Sequence, residues 1–169
     1  MNPSVFCGKR IIILGCPGSG KTTFANKLHE LTGIPLIHLD SIWWKVDRTH
    51  ISRDEFDKRL AMAISGPEWL TEGDYSRTYE VRIRACDVIV FLDFEEEECM
   101  KGITERIGKE RDDMPWTEQS LDPELVQLVK DYHTKNRPVL LQLFEKYKDK
   151  QKLIFRSREQ VNEWFKQWK

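Results

Sequence analysis

Residues Gly15 to Thr22 read GCPGSGKT, set between the apolar run IIIL at 11–14 and a helical pattern that begins at Lys21. A glycine-rich turn therefore sits where a buried strand hands over to a helix. The pattern GxxxxGK[ST] works because its glycines reach backbone conformations closed to other residues, so that successive N–H groups converge on phosphate oxygens. The implied guest is a nucleoside triphosphate, ATP, with Mg2+. Gly15, Pro17, Gly18, Ser19, Gly20, Lys21, Thr22 and Thr23 form the expected cradle. Lys21 would reach the β- and γ-phosphates, Thr22 would offer its hydroxyl to the metal, and the helix start would add its positive dipole end.

Strand and helix signals alternate along the rest of the chain, the pattern of a parallel sheet with helices on its faces. Five strands are expected, at Arg10–Leu14, Pro35–Leu39, Trp69–Glu72, Asp87–Asp93 and Lys152–Arg156. Runs such as IIIL and VIVFL lack polar alternation, as suits strands covered on both faces. Helices are expected at Lys21–Leu31, stopped by Gly33 and Pro35, and at Ser52–Ser65, opened by the capping pair Ser52 and Glu55. Ser157 with Gln160 repeats that pair, and Glu95–Glu98 marks another helix start. Asp122–Lys148 reads as one helix or two, because Pro138 should kink or break it. The polar segment 108–121, GKERDDMPWTEQSL, fits no minimal sheet and suggests a lid.

A chain of 169 residues suits a single domain, here 1–169, without help from disulfides or structural metal. With 27 Lys plus Arg against 28 Asp plus Glu, no global field draws it to nucleic acid. The four cysteines show no zinc spacing and suit reduced thiols that fill the core, and a place beside a helix N-terminus leaves a lowered pKa open only as the lesser alternative for Cys16. No apolar run reaches membrane-spanning length and the N-terminus lacks a signal-peptide core, so a soluble cytoplasmic protein is expected.

In open parallel sheets ligands bind beyond the carboxyl ends of the strands, where Asp40, Glu72 and Asp93 fall. Glu72 is the expected carboxylate of the metal shell and Asp40 that of the acceptor; Asp93 is as well explained as a turn former. Arginines meet the charge of a transferring phosphoryl group with a rigid fork. Arg106 and Arg111 border the lid and Arg77 follows the third strand, whereas Arg82 and Arg84 should pair locally or sit in water. Trp43 and Trp44 directly follow Asp40 and could wall an acceptor pocket, although packing at the core edge explains them equally well. Trp164 and Trp168, four apart, read as core, and His38, His50 and His133 as structural or surface residues.

These segments together resemble a family. GCPGSGKTTFANKL, IPLIHLDSIWW, EWLTEGDYSRT, RACDVIVFLD, NRPVLLQLFEKYKDK and LIFRSREQVNEW are similar to the adenylate-kinase-like P-loop proteins known as DNA topology modulation proteins. The resemblance implies a phosphate loop from Gly15 to Thr23, an acceptor aspartate at Asp40, a lid arginine at Arg111, and an adenine-side loop at Arg156, Ser157 and Arg158. It also implies the P-loop architecture, an α/β fold of three layers with a five-stranded parallel sheet in order 2-3-1-4-5. Glu72 departs from the aspartate usual before that glycine, and Gly102 stands where relatives often carry an arginine whose lack would slow turnover.

The expectation is a kinase that moves the γ-phosphate of Mg-ATP to a small-molecule or nucleotide acceptor. The alternative is a nucleotide-dependent regulator, a slow ATPase acting on DNA topology or gene expression. Direct contact with DNA would then rest on a local patch such as Lys146, Lys148, Lys150 and Lys152.

Overall fold

In the computed structural model, residues 6–168 are described, and five strands lie parallel in the order β2-β3-β1-β4-β5. They are β1 (Arg10–Gly15), β2 (Leu36–His38), β3 (Trp69–Glu72), β4 (Val88–Leu92) and β5 (Gln151–Phe155). The helices are α1 (Lys21–Thr32), α2 (Leu39–Trp43), α3 (Arg53–Ala63), α4 (Tyr79–Ala85), α5 (Glu96–Glu105), α6 (Pro123–Lys146) and α7 (Arg158–Lys166). A single 3-10 turn, Ser76–Thr78, leads into α4. The architecture is the α/β one expected, including the strand order.

Burial explains the sheet. Ile11 to Leu14 and Val88 to Leu92 are all inaccessible or nearly so, which leaves β1 and β4 covered on both faces. β1 pairs with β3 on one side and β4 on the other, so the turn after Gly15 opens in the middle of the carboxyl edge. The strand order reverses there: β3 and β2 lie to one side, β4 and β5 to the other, as at the crevices where doubly wound sheets take ligands.

Local chemistry sets the helix starts. Ser52 caps α3 by accepting from the Glu55 N–H at 3.2 Å, Asp122 caps α6 from Glu124 at 2.8 Å, and Ser157 caps α7 from Gln160 at 3.2 Å. Trp164 packs among Phe24, Phe155 and Phe165, and Trp168 against Trp164, so both are core residues.

Two expectations are corrected and a third is narrowed. The second strand is shorter than Pro35–Leu39, because Leu39 and Asp40 already turn into α2. Pro138 neither breaks nor splits α6, a single helix of 24 residues. Val129 and Tyr132 before the proline, and Leu140 and Phe144 after it, continue one buried stripe, and that burial outweighs one missing backbone bond. Arg82 pairs locally, with the Thr78 hydroxyl and the carbonyls of Gly73 and Asp74, but it does so fully buried and not in water. Among the described residues, no helix is long and apolar enough to cross a membrane.

Candidate functional site

A cleft of about 1180 Å³ runs along the carboxyl ends of β1, β2 and β3. One half is built on the loop between β1 and α1. Helix α1 begins at Lys21 with no side chain capping it and no acidic residue in its first turn, unlike α3, α6 and α7. Its first N–H groups and positive dipole end thus face the loop. The Ser19 hydroxyl is buried without a partner. Gly15, Gly18 and Gly20 carry φ of 155°, 84° and 93°, and Lys21 Nζ rests on the carbonyls of Gly15 and Cys16 at 2.8 and 3.0 Å. Open donors, an orphaned hydroxyl and a poised ammonium fit a polyphosphate.

Tight packing under the loop fixes its shape. A methyl at Gly18 would overlap the Cys99 carbonyl of α5, and one at Gly102 would overlap the Gly18 carbonyl. No arginine therefore fits at Gly102 in this packing. Arg158 of α7 covers the spot, donating to the Gly18 carbonyl at 3.0 Å and to Glu98 at 3.2 Å, and it lines the cleft. Ser157 does not line the cleft; its hydroxyl caps α7. For Cys16 the lesser alternative falls. It is buried, and its hydrogen bond to Cys99 together with that burial pushes the thiol pKa up rather than down.

The other half is built on the ends of β2 and β3. Asp40 opens α2 at the cleft wall, and the Tyr75 hydroxyl donates to its Oδ1 at 2.6 Å. Burial raises the Asp40 pKa to about 6 against the pull of that bond, with the charges of Glu72 and Asp113 adding to the rise. Tyr75 carries a φ of 40°, rare outside glycine. Arg82 holds this turn from beneath, donating to the carbonyls of Gly73 and Asp74 at 3.0 and 2.6 Å, and its burial lowers its own pKa to about 10. Both oxygens of Asp74 are taken, by the Tyr79 hydroxyl and by Asn136 Nδ2.

Glu72 does not stand alone at the strand end. His38 Nδ1 lies 2.7 Å from its Oε1. Burial is the largest single influence and works against charge on His38, but the hydrogen bond and charge of Glu72 together with the charges of Asp113 and Asp112 outweigh it, and the pKa stands above its ordinary value. Trp43 lines the cleft, stacked on His50 with centroids 4.3 Å apart, and Trp44 meets Trp116 edge to face at 5.4 Å.

The segment 108–121 lies across the cleft, closed at its base by the Gly108 N–H on the Glu118 carbonyl at 2.7 Å. Thr22 donates its hydroxyl to the carboxylate of Asp113 at 3.3 Å, Ser41 donates to the Asp113 carbonyl at 3.1 Å, and Asn26 reaches Asp112 at 3.4 Å. Arg111 pairs with Asp113 and with Glu118, the latter at 3.2 Å, and Arg106 Nε lies 2.9 Å from Glu118. Thr22, Asp113 and Glu72 are the donors that could serve a metal there. Among the described residues no group of three or more His, Cys, Asp or Glu could hold a metal ion by itself.

Two expected residues lie elsewhere. Arg77 is exposed and makes a two-pronged pair with Asp57 of α3 at 2.7 and 2.8 Å, away from the cleft lining. Asp93 pairs with Arg137 of α6 at 2.7 and 2.8 Å, a tie between β4 and that helix. Asp113, Glu118, Tyr75 and Trp116 were not singled out in the sequence; a run of polar residues gives no signal of which one folds inward. The lysine patch is committed internally: Lys146 to Glu80, Lys148 to Glu145, and Lys150 and Lys152 to backbone carbonyls.

No family model matches the chain, and no curated protein sequence matches it. Solved structures do match. A shikimate kinase from Bacteroides thetaiotaomicron is 18% identical, with a TM-score of 0.61, over 94% of this chain and 95% of that one. A shikimate kinase from Acinetobacter baumannii, in complex with shikimate, is 15% identical with a TM-score of 0.57 over 94% and 92%. A sugar kinase from Janibacter is 16% identical with a TM-score of 0.51 over 95% and 94%. At these identities the likeness is one of fold alone, shared with the shikimate and sugar kinases.

Proposed function

We propose that the chain is a P-loop phosphotransferase that moves the γ-phosphoryl group of Mg-ATP to a hydroxyl of a small acceptor. One observation carries this reading. A half-buried carboxylate with its pKa lifted to about 6, Asp40, shares a cleft with the phosphate-fitting loop and its Lys21. A pure nucleotide switch needs the loop but has no use for a second carboxylate poised near neutrality, whereas a general base works best near the operating pH. The folds of shikimate and sugar kinases support the same class of reaction. Kinship with the DNA topology modulation proteins belongs to this proposal and names no reaction.

In this account the loop amides and Lys21 hold the phosphates in place. When bound, Mg2+ supplies charge neutralisation across the β- and γ-phosphates, with the Thr22 hydroxyl, Asp113 and Glu72 as the groups that would hold it or its waters. Asp40 accepts the acceptor's proton, and Tyr75, whose own acidity burial suppresses, stays a donor and fixes the carboxylate. The lid, tied through Thr22 and Ser41, excludes water. Arg106 and Arg111 hold the lid together around Glu118. ADP release is measured against a panel of hydroxyl acceptors. The proposal expects acceptor-dependent turnover; none above the Lys21→Ala background would sink it.

A further inference from the structure

The acceptor half of the cleft has a distinctive charge balance. Carboxylates outnumber cations along the lining. The two arginines nearest the acceptor carboxylates are already committed, Arg106 to Glu118 and Arg111 to Asp113 and Glu118. Arg111, Asp113 and Glu118 lie within the segment 108–121, so their pairs travel with the lid, whereas Arg106 sits at the end of α5 and reaches Glu118 from outside it. Lys21 lies on the loop carbonyls at the phosphate end. Arg48 and Lys109 are exposed, with the Arg48 guanidinium lying over Trp116, 5.7 Å from the ring centre, so a pair with either is screened by solvent. Among the described residues, the inner cations of the acceptor half, Arg106 and Arg111, already have their charge balanced by lid carboxylates, although Arg106 Nε makes no hydrogen bond.

An acceptor carrying a carboxylate or phosphate would therefore bury that charge beside Asp40 and Glu72 without a partner. The surfaces on offer are flat instead. Trp43, Trp44, Trp116 and Tyr75 all line this half and are only partly buried; one face of Trp43 is stacked on His50, one of Tyr75 on Phe56 and one of Trp116 lies under Arg48, which leaves the opposite faces. Aromatic faces of this kind take a ring or the C–H face of a sugar. We propose that the acceptor is an uncharged hydroxyl compound built on a flat or sugar ring, of the nucleoside or glycoside class, and that the site rejects monophosphates and carboxylates. This rests on the phosphotransferase reading and narrows it, because nucleotide acceptors are excluded.

The test is binding rather than turnover, so that it stands apart from the test of transfer. The full chain, saturated with ADP and Mg2+, is titrated by calorimetry with thymidine, uridine and methyl glucoside as uncharged probes, and with thymidine monophosphate, uridine monophosphate and shikimate as anions. At least one uncharged ring should bind about tenfold tighter than its charged counterpart or than shikimate. Glu118→Gln, which leaves Arg106 without its partner, should shrink that preference to about threefold or less. An anion binding as tightly as the uncharged probes in the unaltered protein, or no uncharged probe binding at millimolar concentration, overturns the proposal. So does a preference unchanged in Glu118→Gln. Preserved discrimination with no transfer to any acceptor would instead remove the phosphotransferase reading.

Discussion

Beyond β1 the cleft is made of backbone, with unfilled N–H groups at the start of α1, strained glycines and one lysine resting on loop carbonyls. Beyond β2 and β3 it is made of side chains whose charges are largely spoken for: His38 with Glu72, Tyr75 with Asp40, Arg111 with Asp113. The first half has donors to spare and awaits an anion. The second has its cations neutralised and keeps one carboxylate near the middle of its titration. The contrast assigns the polyphosphate to one end and an uncharged hydroxyl to the other.

The largest expected effect comes from the backbone half. Lys21→Ala should lower acceptor-dependent ADP release about 10³-fold. A similar loss from Lys21→Met with unchanged nucleotide affinity would place the lysine's effect in the transition state; equal loss in both would place it in binding.

Next is Asp40→Asn, which should cut kcat about 10²-fold or more and leave ADP affinity within about twofold. The same variant reports on the burial of charge. The Asp40 pKa is raised on folding, so the folded state holds the extra proton and stability falls as pH rises from about 4 to about 6. Above that range the ionised carboxylate is a burden of roughly 2 kcal/mol that asparagine lacks. Melting curves should show Asp40→Asn stabilised at pH 8 and not at pH 4. A variant less stable at pH 8 would mean that Tyr75 and Arg111 already compensate the charge.

Gly102→Ala tests whether the loop's shape depends on α5. The added methyl has no room against the Gly18 carbonyl, so a loss of about 2 kcal/mol in denaturant unfolding is expected, with weaker ADP binding at temperatures where the variant is folded. The smallest effect is at Arg77, whose exposed pair with Asp57 should contribute under about 0.5 kcal/mol. Arg77→Ala should leave acceptor KM unchanged, and a rise of tenfold would return that arginine to the acceptor site.

The two halves also differed in how well the sequence disclosed them. The phosphate loop is contiguous, and its chemistry follows from eight successive residues between a buried strand and a helix. The strands themselves and the caps at Ser52 and Ser157 were legible for the same reason, since apolar runs and capping pairs act locally, whereas the strand order came only with the family resemblance and the Asp122 cap was not read. The acceptor half depends on distant partners: Thr22 meets Asp113 across 91 positions and His38 meets Glu72 across 34. Asp40, Trp43 and Trp44 could be found because they follow a strand end. Nothing in the run RDDMPWTE distinguishes Asp113, almost fully buried, from exposed Asp112 beside it. Arg77 was misplaced for a like reason, because its partner Asp57 lies 20 positions back on α3, whereas the partners of Arg82 are local.

The account turns on Asp40 taking a proton from an uncharged acceptor opposite a filled phosphate loop. The most direct test is the pH profile of acceptor-dependent kcat/KM at saturating Mg-ATP, for the unaltered protein beside Asp40→Asn. The account predicts a rise with pH centred near 6 that disappears in the variant while ADP affinity holds. A rise that persists in Asp40→Asn, or ADP release that no acceptor accelerates, would contradict it.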